Sequence, residues 1–85
     1  MMTETPAIAV LHIKIGNEQL LCRVTSNSLA FYAYDQSKLS YRFRNDFKTD
    51  IVSAKVIPNQ HREVDYVFLV NAEGSYGFWS VDGGF

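Results

Sequence analysis

The stretch KLSYRFRNDFK, residues 38–48, interleaves four cations with three aromatics in eleven residues. These residue types suit single-stranded nucleic acid, because cationic groups neutralise phosphates and rings stack on bases. They suit a protein contact equally well, since aromatic and Arg side chains anchor interfaces. Parity separates the two readings. As a strand, Leu39, Tyr41 and Phe43 share one face, and Ser40, Arg42 and Arg44 share the other. The expectation is therefore that the rings enter the core and the arginines face water, with Phe31 opposite Arg42 at cation–π range. A stacking platform would instead need rings and cations on one exposed surface.

Other reactive types are sparse. Cys22 is the only cysteine, so no internal disulfide can form, and alternation places it in the core, where burial raises a thiol pKa and makes it inert. His12 and His61 have no partners at metal-ligand spacing, and no metal site is expected. Asp35 and Glu73 are explained by turn chemistry. Glu63 and Asp65 could share a strand face, but acid–base work needs a pocket that so small a core does not promise. No Gly-rich phosphate loop or nucleophile elbow occurs. The expectation is a protein that is not an enzyme and uses no cofactor.

The elements that carry these residues follow from a spacing of mostly period 2. LHIKI alternates Leu11, Ile13 and Ile15 with His12 and Lys14, as a half-buried strand does. A two-residue turn at Gly16-Asn17 sets Ile13 opposite Leu20 and Leu11 opposite Cys22, which keeps one face apolar and suits a type II′ turn. A three-residue loop Ala72-Glu73-Gly74 sets Val70 opposite Tyr76, Phe68 opposite Phe78 and Val67 opposite Trp79. Strand 65–70 is apolar on both faces and reads as central or covered. In the middle, an Asp35-initiated turn would set Tyr34 opposite Leu39 and Tyr32 opposite Tyr41. The rival there is a helix at about 36–48, capped by Asp35, with Leu39, Phe43 and Phe47 along one stripe. IVSAKVI supplies a strand ended by Pro58, and PNQHRE reads as a loop. The fold class expected is all-β, an antiparallel meander of about six or seven short strands forming a small barrel or sandwich; the alternative is α+β with that helix.

Eighty-five residues, 47% of them apolar, make a single folded domain over 1–85 with a thin core. Residues 1–6 read as a disordered tail and 82–85 as a flexible one. Eight Lys and Arg against nine Asp and Glu leave no strong long-range field, which argues against non-specific binding to DNA or membranes. The N-terminus lacks a cationic start and a signal-length apolar run, and no stretch reaches membrane-spanning length. A cytoplasmic location without membrane contact is expected.

Function is approached through surplus apolar surface. In SYGFWSVDGGF, Phe78 and Trp79 point to opposite faces, so one of them can lie outside the core. Leu21, Ala30, Tyr32, Tyr34, Val67, Leu69 and Trp79 are more than a thin domain can hide, which calls for a protein partner or a homodimer. The expected function is a non-catalytic protein–protein interaction module, of the size and plainness of a small inhibitor or accessory subunit of phage or mobile-element type. Its anchors would be Tyr32, Tyr34, Arg42, Arg44 and Trp79. The alternative is a small barrel-type single-stranded nucleic-acid-binding protein; nucleic acid ranks below a protein as the partner.

Overall fold

The structure is a computed structural model and describes residues 6–59, 61 and 64–81. Seven antiparallel strands follow one another: β1 (Ala9–Ile15), β2 (Glu18–Val24), β3 (Ser28–Asp35), β4 (Lys38–Asp46), β5 (Ile51–Ile57), β6 (Tyr66–Asn71) and β7 (Tyr76–Trp79). The fold is all-β, and the alternative helix at 36–48 does not form: β4 fills most of that span. The strands make two sheets in meander order, β1-β2-β3-β4 (sheet A) and β5-β6-β7 (sheet B). The expected tails at 1–6 and 82–85 fall, apart from Pro6, outside the described residues. So do Gln60, Arg62 and Glu63 of the expected 58–63 loop.

Local turn chemistry sets three registers. Gly16 takes φ +64°, a conformation open to glycine without steric cost, and the β1–β2 pairs are those expected, Ile13 with Leu20 and Leu11 with Cys22. Gly74 takes φ +87° and closes the β6–β7 loop. The Asn71 side-chain oxygen accepts hydrogen bonds there from the backbone N–H groups of Glu73 and Ser75, both at 3.0 Å. Val70 then meets Tyr76, and Val67 meets Trp79. The β3–β4 turn is less comfortable. Gln36 at φ 48° and Ser37 at φ 72° both lie in the left-handed region, as a two-residue type I′ turn requires but as non-glycine residues resist.

Sheet A departs from strict alternation at one place. Phe31 pairs with Phe43, and the next residue, Tyr32, pairs with Tyr41, so Arg42 is an extra residue in β4 and the ladder bulges there. Phe31 therefore does not face Arg42, and Leu39 and Tyr41 do not share a face with Phe43. A bulge places two residues opposite one and reverses parity beyond it. The reversal occurs because each half of β4 has its own demand. Phe43 stacks on Phe31 at 4.5 Å, and Phe31 stacks on Trp79 of sheet B at 5.0 Å, while Tyr41 follows Tyr32 on the other side.

The core lies between the sheets. Ile13, Leu20, Cys22, Val24, Leu29 and Phe31 from sheet A meet Ile51, Val67, Leu69 and Trp79. The shortest dimension of the molecule, 16 Å, fits two stacked sheets about 10 Å apart. Among the described residues the sheets are joined by an isolated bridge, Ile15 with Val64, and by a few backbone hydrogen bonds, rather than by a continuous ladder. Asp65 fastens that corner: its carboxylate accepts from the Lys14 backbone N–H at 3.0 Å and from that of Asn59 at 3.4 Å. At the opposite end, the β2–β3 loop anchors the crossover to β5. There the Phe47 N–H donates to the Asn27 carbonyl at 2.7 Å and the Ile51 N–H to the Ser26 carbonyl at 2.6 Å.

Candidate functional site

Each sheet turns one face to the core and one outward, and the outward faces hold the exposed rings. On sheet A the register arranges the outer residues in rows across the strands. One row runs Val10, Arg23, Ala30, Arg44, and the next runs His12, Leu21, Tyr32, Tyr41. Lys14 beside Gln19, and Tyr34 beside Leu39, follow. Tyr32 and Tyr41 meet edge to face, with centroids 5.8 Å apart. Tyr34 and Tyr41 are about 60% exposed, at 61% and 59%. Val10, Leu21, Arg23, Tyr32 and Leu39 line an open groove of about 300 Å³.

The bulge makes this surface. Without it, alternation would send Leu39 and Tyr41 to the core side with Phe43. With it, two tyrosines on neighbouring strands lie on the same surface as Arg23 and Arg44. The expected segregation of rings from arginines therefore fails on this face. The two arginines of β4 also part company. Arg44 holds Asp46 at 3.0 Å, both side chains well exposed. Arg42 forms an ion pair with Glu18, which shares the strand face of core-facing Leu20 and Cys22 in β2, and so it turns away from the Tyr32–Tyr41 face.

On sheet B the outward residues are Ser53, Lys55 and Ile57 from β5, Tyr66, Phe68 and Val70 from β6, and Tyr76 and Phe78 from β7. Phe68 lies 5.3 Å from Phe78 and 5.8 Å from Tyr76, and Tyr66 lies 6.0 Å from Phe78. Ile57, Tyr66 and Phe78 line a second open depression of about 470 Å³. Lys55 is the one charged residue among these eight.

Of the five anchor residues expected from the sequence, Tyr32, Tyr34 and Arg44 lie on the outer face of sheet A, and Arg42 lies apart from them. Trp79 requires a correction. It is 2% exposed and belongs to the core, whereas Phe78 beside it is 56% exposed. Both faces of β6 and β7 are apolar, so alternation could not say which one turns inward. Val67 and Leu69, grouped with the surplus apolar residues, are likewise core. Tyr41 and Tyr76 were missed as exposed rings, and of Phe78 and Trp79, one of which was expected outside the core, it is Phe78 that lies there. A signal for Tyr41 does exist in the sequence: pairing AFY with YRF so that Phe meets Phe and Tyr meets Tyr leaves one residue over.

The reactive types offer little. Cys22 is fully buried, and burial pushes its thiol up to about 12 from 9.0. Among the described residues no group of three His, Cys, Asp or Glu could hold a metal ion, and no helix is long and apolar enough to cross a membrane. Glu63, considered with Asp65 as a carboxylate pair, lies outside the described residues, and Asp65 is engaged with backbone. Among the described residues the buried Trp79 indole N–H has no acceptor. No protein-family model matches the chain, and no curated protein matches it.

Proposed function

We propose that this chain is a non-catalytic protein-interaction module, acting as a small inhibitor or accessory subunit, and that its protein-docking surface is the outer face of sheet B. The observation that carries the reading is the cluster of Tyr66, Phe68, Tyr76 and Phe78 on that face, with Phe78 56% and Tyr76 69% exposed. A contiguous set of exposed rings with one charged neighbour is costly in water and is what the centre of a protein interface uses. Clustered rings supply large contact area with little side-chain entropy to lose. The same scarcity of charge permits a second copy to dock there, since Lys55 is the single charge each copy would bring across a two-fold axis.

The reading is tested by capture from the native host after nuclease digestion, using the wild type and Phe78→Ser, with light scattering of the purified chain. A protein partner, or a mass above the 9.7 kDa monomer, that is lost in Phe78→Ser is the expected result. A chain that stays monomeric at high concentration and retains no protein sinks the reading.

A further inference from the structure

The opposite surface differs in chemistry. Among the described residues, the outer face of sheet A carries Lys14, Arg23 and Arg44 together with the carboxylate Asp46, in a chain whose net charge is −1. The other described acids, Glu18, Asp35, Asp50, Asp65 and Glu73, sit at strand ends and in loops. Cations and exposed tyrosines are thus concentrated together, while the described acids other than Asp46 lie elsewhere. The surface asks for a ligand with negative charge and flat apolar groups.

We infer that the outer face of sheet A binds single-stranded nucleic acid, with Tyr32, Tyr34 and Tyr41 as base-stacking groups and Arg23, Arg44 and Lys14 as phosphate contacts. The inference goes beyond the protein-docking reading and is independent of it, because it rests on the other sheet. Tyr32 and Tyr41 sit side by side on neighbouring strands, and Tyr34 follows Tyr32 about 7 Å along β3, so more than one ring is available to successive bases. Every base has a face that stacks, so the recognition would be tolerant of sequence. The Arg44–Asp46 pair is exposed and weak, and a phosphate can take the place of the carboxylate. Arg23 borders the apolar groove, where a sugar or base edge covers Val10 and Leu21.

The test is titration of labelled oligo(dT) and oligo(U) of about twelve nucleotides at about 50 mM salt, with the duplex of the same length and polyglutamate as competitors. Saturable binding with a log–log salt slope near −2 is expected for about three phosphate contacts. Tyr41→Ala should weaken binding about ten-fold or more, with Tyr41→Phe close to wild type. Arg44→Ala should lower the size of the salt slope by about 0.7. Phe78→Ser, on the other sheet, should leave the titration unchanged. Tyr41 is largely exposed, so its variants are expected to fold, and circular dichroism checks that they do. No binding at tens of micromolar protein overturns the inference. So does binding indifferent to Tyr41→Ala, or competition by polyglutamate equal to that of the oligonucleotides, which would mark an acidic protein as the occupant.

Discussion

Deleting Arg42 from the middle of β4 should leave the protein folded with almost unchanged stability. Arg42 is the extra residue between the Phe31–Phe43 and Tyr32–Tyr41 pairs. Without it, Tyr41 and Phe43 become consecutive, and both pairs persist in a regular ladder. No side chain changes face. The interaction lost is the ion pair with Glu18, whose two side chains are about half exposed at 47% and 50%; such a pair contributes about 0–1 kcal/mol. One fewer residue must be ordered, which returns about 1–2 kcal/mol of backbone entropy, offset by loss of the twist a bulge provides. The sum lies within about 1 kcal/mol of zero by these terms. Deletion of Leu21 is the control. β2 is paired on both sides with no spare residue, so either Leu20 or Cys22 and Val24 must leave the core, at about 1.5–3 kcal/mol for a large side chain, with polar neighbours forced inward. Urea unfolding followed by the emission of Trp79, the sole tryptophan and 2% exposed, measures both. A loss above about 3 kcal/mol for the Arg42 deletion, or red-shifted emission before urea is added, would refute the account of the bulge.

Three further outcomes follow from the geometry. Ser37→Gly should stabilise the chain by about 1 kcal/mol, because Ser37 stands at φ 72° where only glycine avoids a steric cost; an unchanged urea midpoint would count against the turn assignment. Asp65→Ala should cost about 1–2 kcal/mol, since the carboxylate that accepts from the Lys14 and Asn59 backbones is removed, and hydrogen exchange should quicken first at β1 and the start of β6. Cys22 should resist alkylation at pH 8 until the chain unfolds. Its folded pKa is raised to about 12 from 9.0, so above pH 9 the unfolded chain releases the thiol proton while the folded chain holds it. Stability relative to Cys22→Ala is therefore constant below pH 9 and falls above it by up to about 1.4 kcal/mol per pH unit; a flat difference through pH 11 would contradict the burial.

The amino-acid sequence by itself determined most of the strands and the registers of the first and last hairpins, while at 36–48 it left a helix open and in β3–β4 it set the register only as far as Tyr32 with Tyr41. Gly16-Asn17, Asp35 to Lys38, and Ala72 to Gly74 act over a few residues, and period-2 alternation then leaves one register that keeps Ile13 with Leu20 and Val67 with Trp79. These are local matters, and local chemistry decides them. The tertiary structure alone decided which face of β6 and β7 turns inward. A strand that is apolar on both sides carries no parity signal, and only the space opposite Phe31 selects Trp79 over Phe78. The tertiary structure likewise decided the parity break at Arg42. Leu39, Tyr41 and Phe43 alternate without a flaw, yet Phe43 is drawn to the Phe31–Trp79 stack of the core while Tyr41 stays with Tyr32 on the outside. The exposed tyrosines and arginines of sheet A come together through that conflict between two neighbours, and a conflict of that kind exists only once the sheets are packed.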